Sequence, residues 1–312
     1  MIQRILQPGE IEALDRTAIP RVSLPERSTV FANRAARLRK LADHHPVSGY
    51  LRLMASLVDA QHQMLERFAG SMPARETMPM QEAQAHSMPI LPALGRPRDA
   101  VWCGVLRELI DRVDAAGDVT PALGKLLDAL RTMPEAELEA AADAVLDLRF
   151  EQIDAAAAPF IMAALQVVWT DAACRLDVRD VPYVELPGGC PVCGSLPVAS
   201  IVRIGGAYHG YRYLQCGLCA TEWHMVRVKC SHCDSTKGIA YHGIEGAGEA
   251  LKAESCDTCG TYRKIGYQEK DYDIEPLADD LASLALDLLM SEAGYRRAAP
   301  NPLLWPLAAD DE

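Results

Sequence analysis

Apolar side chains recur at three- and four-residue intervals along most of the chain up to position 180, the pattern of amphipathic helices. The best-defined stripe predicts a helix over residues 48–69, and consists of Leu51, Met54, Val58, Leu65 and Phe68. Similar apolar stripes predict helices over residues 34–43, 98–115, 121–131, 134–148 and 155–176. We therefore predict that residues 1–180 form an all-helical domain.

The most apolar window of that domain, residues 155–170, falls short of the roughly 20 apolar residues that a membrane span needs. It also contains Gln166, so we interpret it as a buried core helix. The chain begins with Met-Ile-Gln-Arg and soon turns acidic, unlike an apolar signal segment. We expect a soluble, cytoplasmic protein with no insertion into a membrane.

The pattern changes after residue 180. Proline and glycine concentrate in residues 178–189, as in a linker. Short β-rich runs separated by turns follow, at residues 198–203, 211–214, 239–242 and 251–253. An apolar stripe returns over residues 275–292 and predicts one amphipathic helix, and the proline-rich tail after Gly294 should be extended.

Eight of the ten cysteines fall in the β-rich region, as four Cys-x-x-Cys pairs. Each cysteine of the first two pairs has a counterpart forty positions later, so the pattern C-x2-C-x22-C-x2-C occurs twice in tandem. The pairs are Cys190 and Cys193, Cys216 and Cys219, Cys230 and Cys233, and Cys256 and Cys259.

Two Cys-x-x-Cys turns joined by a spacer that can form strands are typical of zinc-ribbon and rubredoxin-like modules, in which four thiolates bind one metal ion. Disulfides would require an oxidising compartment, and a redox pair would require only one such turn. The exact repeat favours one four-cysteine site in each module, although Cys216 and Cys219 could instead share a metal with Cys230 and Cys233.

These patterns predict a fold of α plus small β structure. We expect an all-helical domain (residues 1–180), two tandem rubredoxin-like or zinc-ribbon modules (181–227 and 228–272), and a C-terminal helix with an extended tail (273–312). The chain has 312 residues, of which 49% are apolar and 24% charged, as in a folded globular protein.

The net charge of −12 disfavours a nucleic-acid partner, because binding to phosphates requires accumulated lysine and arginine. The cysteine-rich region, residues 187–272, has nine basic and eight acidic residues and therefore no basic stripe. One basic cluster does occur in the helical half. We interpret it as a solvated helix face, with a docking patch for an acidic or peptide partner as the alternative; it comprises Arg34, Arg37, Arg39 and Lys40.

We find no catalytic signature of a hydrolase, a zinc protease or a phosphate-binding loop, and therefore expect a protein that is not an enzyme, without catalytic or further cofactor-binding residues. His232 lies within the third Cys-x-x-Cys turn and could replace a thiolate. Because four thiolates are already available there, we expect it to lie outside the ligand set.

The chain resembles the FdhE family of formate dehydrogenase accessory proteins over nearly its whole length. The resemblance includes the helical half around residues 34–53, and the most specific motifs are residues 190–195, 213–216 with Cys219 and 222–223, 230–233, 254–259 and 276–281. It implies a cytoplasmic maturation factor that binds the catalytic subunit of an exported, respiratory molybdenum formate dehydrogenase. It also implies rubredoxin-like sites, which favours iron over zinc as the metal at both four-cysteine sites.

Two other classes of protein are compatible with tandem four-cysteine modules: a nucleic-acid-binding zinc-ribbon protein and a rubredoxin-like electron carrier. The acidic net charge speaks against a nucleic-acid-binding protein. The identity of the metal decides whether the protein can be an electron carrier, because zinc has no redox chemistry. The native metal, its redox or structural role, the partner-binding surface and the oligomeric state stay open at the level of sequence.

Overall fold

The computed structural model describes residues 19–70, 72–73, 75–117, 119–183 and 188–306. The remaining residues, which include parts of the predicted linker and tail, lie outside the described residues. Before residue 180 the described chain forms seven α-helices, six of them at positions that the apolar periodicity predicts and the short α3 in addition. They are α1 (Val30–Ala42), α2 (Ser48–Arg67), α3 (Met80–Ala85), α4 (Val101–Ala115), α5 (Pro121–Thr132), α6 (Glu135–Leu146) and α7 (Ala158–Cys174).

Helix α7 lies at the centre of this helical half. Residues 158–173 are all buried, which explains why its sequence has no polar face. It packs against α2, α4 and α6. The prediction of a buried core helix is therefore confirmed. None of the helices in the described parts of the chain is both long and apolar enough to cross a membrane.

The cysteine-rich region contributes most of one mixed sheet. Its described strands are β1 (Val22–Ser23), β2 (Pro197–Val202), β3 (Arg212–Cys216), β4 (Glu222–Met225), β5 (Ile239–His242), β6 (Leu251–Cys256), β7 (Thr261–Tyr267) and β8 (Arg296–Arg297). The strand order is β1-β4-β3-β2-β7-β6-β5, with β8 also paired to β7. Strands β4 and β7, which directly follow the second cysteine pair of each repeat, were not predicted from the sequence.

The two repeats share this sheet. Strands β2, β3 and β4 form the first antiparallel unit, and β5, β6 and β7 form the second. Strand β2 pairs in parallel with β7, with Ser200 opposite Ile265 and Val202 opposite Tyr267. The modules are therefore joined by backbone hydrogen bonds as well as by their connecting segment.

The prediction of a single C-terminal helix over residues 275–292 is wrong, because the chain forms α8 (Pro276–Leu281) and α9 (Leu284–Glu292) instead. At the break, the buried Lys264 ammonium group donates to the carbonyl oxygens of Asp280 (2.8 Å) and Ser283 (3.1 Å). The Ser283 hydroxyl donates to the Asp279 carbonyl at 2.8 Å. Carbonyl groups near the break are thus bound by side chains.

The basic cluster on α1 is not a solvated face at its two inner positions, so that interpretation is wrong for Arg34 and Arg37, which are 1% and 7% exposed. Arg37 binds both carboxylate oxygens of Asp279 in α8, and Arg34 donates to Glu275 at 2.9 Å. Lys40 pairs with Asp273 at 2.9 Å. Acidic residues from the C-terminal part of the same chain therefore bind three members of this cluster, and the fourth, Arg39, pairs with Asp59 on α2.

The described part of the C-terminal tail packs on the domain. Strand β8 runs beside β7, and Leu303 and Trp305 are buried. The ring of Trp305 lies 5.2 Å from that of Phe150, and the Tyr50 hydroxyl donates to the Leu303 carbonyl. The tail thus attaches the ribbon end of the chain to the helical half.

Candidate metal centres

The first set of cysteines, named site 1, combines two turns on either side of the β2–β3 hairpin. Cys190 and Cys193 lie in the turn before β2, and Cys216 and Cys219 lie at the end of β3 and in the turn that follows it. The sulfur atoms of Cys190 and Cys219 are 3.6 Å apart, and those of Cys193 and Cys216 are 3.4 Å apart. The backbone amides of Leu218 and Cys219 donate to the Cys216 sulfur and hold it in place within the turn.

The second set, named site 2, repeats this arrangement forty positions later. The sulfur atoms of Cys230 and Cys259 are 3.8 Å apart, and those of Cys233 and Cys256 are 3.7 Å apart. The amide of His232 donates to the Cys230 sulfur at 3.3 Å, but its side chain is exposed and is not among the groups brought together.

The turns themselves have the same backbone form in both sites. The Cys190 amide donates to the Ser195 carbonyl at 3.0 Å, and the Cys230 amide donates to the Ser235 carbonyl at 2.8 Å. After each turn the chain takes a positive φ, +84° at Gly194 and +62° at Asp234. Glycine and aspartate tolerate this conformation better than most residues, which allows the tight return of the chain.

The eight sulfur atoms fit two tetrahedral metal sites. Within each set all four lie within 4.8 Å of one another. Metal–sulfur bonds of about 2.3 Å in a tetrahedron place neighbouring sulfurs about 3.8 Å apart, whereas a disulfide requires about 2.05 Å. All ten cysteines are free thiols. The sets follow the tandem repeat, and the alternative pairing of Cys216 and Cys219 with Cys230 and Cys233 is not formed.

The electrostatics of site 1 also favour a cation. Burial raises the pKa of Cys190 and Cys219, because a charged sulfur is poorly solvated in the interior. Burial opposes ionisation of Cys193 as well, but hydrogen bonds from the three neighbouring thiols lower its pKa. A bound cation would stabilise the thiolate form of the cysteines in this buried set. Ligand sets of sulfur alone suit zinc or iron.

In each repeat, one threonine hydroxyl lies beside a sulfur atom of the cysteine set. The Thr221 oxygen lies 3.2 Å from the Cys219 sulfur, and the Thr261 oxygen lies 3.1 Å from the Cys259 sulfur. The two threonines were not predicted from the sequence. They are separated by the same interval as the paired cysteines, and this was a signal that could have found them.

The two sites differ most in their surroundings. All four cysteines of site 1 are buried in the main hydrophobic core. The amides of Ile90, Leu91 and Ala93, from the loop before α4, donate to the carbonyl oxygens of Pro191, Val192 and Cys193. In site 2, Cys233 is exposed and Cys259 is half-buried. Site 1 is thus enclosed by the helical half, whereas site 2 opens to solvent.

The fold and the two cysteine sets define a class of protein, a helical domain that carries paired ribbon modules with four cysteines each. Three family models match it in order: "FdhE, N-terminal" over residues 19–185, "FdhE, central domain" over 189–227, and "FdhE, C-terminal domain" over 228–304. The chain belongs to the FdhE family.

Individual relatives match at full length. The chain is 41% identical over 309 residues to a protein FdhE homolog of Cronobacter sakazakii, with 97% of this chain and 98% of the relative covered. It is 40% identical over 311 residues to a homolog from Pseudomonas aeruginosa, covering 98% and 99%. The crystal structure of the FdhE protein from Pseudomonas aeruginosa superposes with a TM-score of 0.78 at 38% identity, covering 93% of this chain and 100% of that one.

Proposed function

We propose that this protein is an accessory factor for the maturation of a respiratory molybdenum formate dehydrogenase. It binds the catalytic subunit of that enzyme in the cytoplasm, before or during export. The observation that carries the proposal is the ordered match of three FdhE family models across residues 19–304, together with relatives of about 40% identity over the full chain.

The sites support an assembly role rather than a catalytic one. We propose that Cys190, Cys193, Cys216 and Cys219 hold one metal ion, and that Cys230, Cys233, Cys256 and Cys259 hold another. Four protein thiolates leave no coordination position for a substrate, so neither ion would act as a Lewis acid. Iron is favoured by the resemblance to the family, and zinc is the alternative for the same ligands.

The ribbons would act as rigid surfaces that present their loops to the partner. Metal binding fixes each pair of Cys-x-x-Cys turns, and the sheet fixes the two modules to each other. A partner protein can then be recognised by a preformed surface, which avoids the entropic cost of ordering loops on binding.

A deletion strain grown under conditions of formate respiration tests the function. We expect formate dehydrogenase activity to be lost while its catalytic subunit is still synthesised, and to return with a plasmid copy of this chain. A copy with Cys216→Ser and Cys256→Ser, which removes one ligand from each site, should restore little activity. Normal formate dehydrogenase activity in the deletion strain would refute the proposal.

Binding is tested separately by co-purification. A tagged copy of this chain should retain the catalytic subunit from cytoplasmic extracts, and untagged extract provides the control.

Elemental analysis with visible spectroscopy of anaerobically purified protein identifies the metal. An absorption change on reduction with dithionite would favour an electron-carrier function, and zinc alone would exclude that function.

A further inference from the structure

The tandem repeat allows the surroundings of the two sites to be compared position by position. The contacts Cys219–Thr221 and Cys259–Thr261 confirm that residues one repeat apart occupy equivalent places. Two of the positions that differ in chemistry are in contact in the second module. Pro191 in the first turn of site 1 corresponds to Ser231 in site 2, and Trp223 on β4 corresponds to Arg263 on β7. An apolar pair in the first module is thus replaced by a hydroxyl and a cation in the second.

Arg263 is a buried cation, with 4% of its surface exposed. Its Nε donates a 2.9 Å hydrogen bond to the Ser231 hydroxyl, which lies in the turn between Cys230 and Cys233. Its terminal nitrogen Nη1 is buried without a hydrogen-bond partner among the described residues. This side chain therefore reaches the turn that carries half of site 2.

No carboxylate in the described parts of the chain forms an ion pair with Arg263. Glu254, which lies opposite Arg263 on β6, pairs with Arg212 at 2.8 Å through one of its oxygens, and its other oxygen has no hydrogen-bond partner among the described residues. Arg297, another nearby cation, is itself paired with Asp280 and Asp287. Burial, followed by the charges of Arg212 and Arg297, lowers the pKa of Arg263 to about 9, and Glu254 and the Cys230 sulfur partly oppose this effect. A buried charge of this kind is costly unless another group compensates it.

We propose that Arg263 is the fixed counter-charge of site 2, and that it balances the net negative charge of the complex that Cys230, Cys233, Cys256 and Cys259 form with a metal ion. Four thiolates around a divalent ion carry a net charge of about −2, which a nearby buried guanidinium stabilises. The inference rests on metal binding at site 2, which belongs to the proposed function.

The contrast with site 1 supports this assignment. Trp223, the counterpart of Arg263, is buried in the main apolar core and carries no charge. The cysteines of site 1 are all buried, so its ion is protected from competing ligands. Site 2 has an exposed cysteine, Cys233, through which a chelator can approach. Arg263 thus compensates electrostatically for the protection that site 2 lacks.

Metal retention tests the proposal. Zinc-loaded protein is challenged with EDTA, and the zinc content is followed over time. The wild type should hold two zinc ions per chain and release them in two phases. A Cys233→Ser variant, which should lack the fast phase, assigns that phase to site 2. Arg263→Met should accelerate the fast phase by about 10-fold or more and leave the slow phase unchanged.

Matched variants separate charge from packing. Arg263→Lys keeps the charge and should release zinc within about threefold of the wild type. Arg263→Gln keeps a hydrogen-bond donor for Ser231 without the charge and should behave like Arg263→Met, which also covers the case in which Arg263→Met does not fold. Arg227→Met removes an exposed cation from the segment between the modules, and should match the wild type.

Thermal unfolding gives a second test, because a residue that acts only through packing would have the same effect on the unfolding temperature with and without zinc. After EDTA has emptied site 2, Arg263→Gln should unfold at a higher temperature than the wild type, because it no longer buries an unpaired cation. With zinc bound, this advantage should disappear or reverse. Equal effects of Arg263→Gln in both states, or unchanged zinc release, would overturn the counter-charge. A wild type without zinc at site 2 would instead refute metal binding itself.

Discussion

Gln166 donates a hydrogen bond of 2.7 Å from its side-chain amide to the carbonyl oxygen of Gly217, which lies between Cys216 and Cys219. The side-chain oxygen of Gln166 accepts a hydrogen bond of 2.9 Å from Gln61 on α2. Two buried glutamines thus connect the interior of the helical half to a turn of site 1. These two hydrogen bonds explain why the most apolar helix of the chain contains Gln166.

Replacing Gln166 with leucine should destabilise the protein by about 1–3 kcal/mol, because the buried Gly217 carbonyl would lose its donor and the Gln61 amide would keep only the Ala163 carbonyl as an acceptor. The free energy of unfolding in urea measures this change. Gln84→Leu, at an exposed position on α3, is the control and should differ from the wild type by less than about 0.5 kcal/mol. Equal stability of both variants would contradict the role assigned to Gln166.

The ion pair between Arg37 and Asp279 should be essential for joining α1 to α8. Arg37→Met leaves the buried Asp279 carboxylate without its cation, which costs about 3–5 kcal/mol. Lys40→Met, which breaks the exposed pair with Asp273, should cost less than about 1 kcal/mol. Urea unfolding of the two variants compares a buried pair with an exposed pair on the same helix. Similar losses in both would show that burial does not matter here.

The pH dependence of the Arg37→Met variant has a defined sign. Burial raises the pKa of Asp279 in the folded protein, and Arg37 opposes that increase. A carboxyl group with a raised folded pKa stabilises the fold when protonated, and this contribution is lost as the pH rises through its folded pKa. Without Arg37 the pKa rises further, so the stability lost by the variant should be larger at pH 7 than at pH 5. A loss that does not change with pH would contradict this account.

The two metal sites should respond differently to loss of one ligand. Cys216→Ser removes a buried sulfur at the interface with the helical half and should lower the stability of the whole protein. Cys233→Ser removes an exposed sulfur and should release one ion while the helices stay folded. Zinc content and helical circular dichroism on heating distinguish the two outcomes. Equal thermal midpoints for both variants would show that site 1 does not hold the domains together.

Lys264 should set the break between α8 and α9. It donates to two carbonyl oxygens at the break and pairs with the Asp287 carboxylate at 2.7 Å. Lys264→Met leaves Asp280 and Asp287 with less compensation in a buried site, and should cost about 3–5 kcal/mol of unfolding free energy. Lys252→Met, on the neighbouring strand, is the control. A variant as stable as the wild type would mean that the break has another cause.

Local patterns predicted much of this structure. Proline and apolar periodicity located the helices to within a few residues, since Pro121 and the Thr120 cap fix the start of α5 within the chain itself. The spacing of cysteines grouped the eight sulfurs correctly, because each Cys-x-x-Cys turn is determined by its own few residues. The metal, the partner and the division of the chain into domains stay predictions.

Features that depend on distant residues could not be predicted. Arg34 and Arg37 have the sequence pattern of a solvated face, and only the return of residues 271–279 to α1 buries them. The break after α8 depends on Lys264, which belongs to another element. Strand β7 pairs with β6, which directly precedes it, and also in parallel with β2, which lies far earlier in the chain; the second of these pairings has no local signal.

The parallel contact between β2 and β7 has a mechanical consequence. Two ribbon modules joined only by a flexible linker could move independently of each other. Here the two repeats share one sheet, so sites 1 and 2 keep a constant separation and orientation. A protein that binds this sheet would contact both modules as one rigid unit, and could not displace one of them without breaking the hydrogen bonds between β2 and β7.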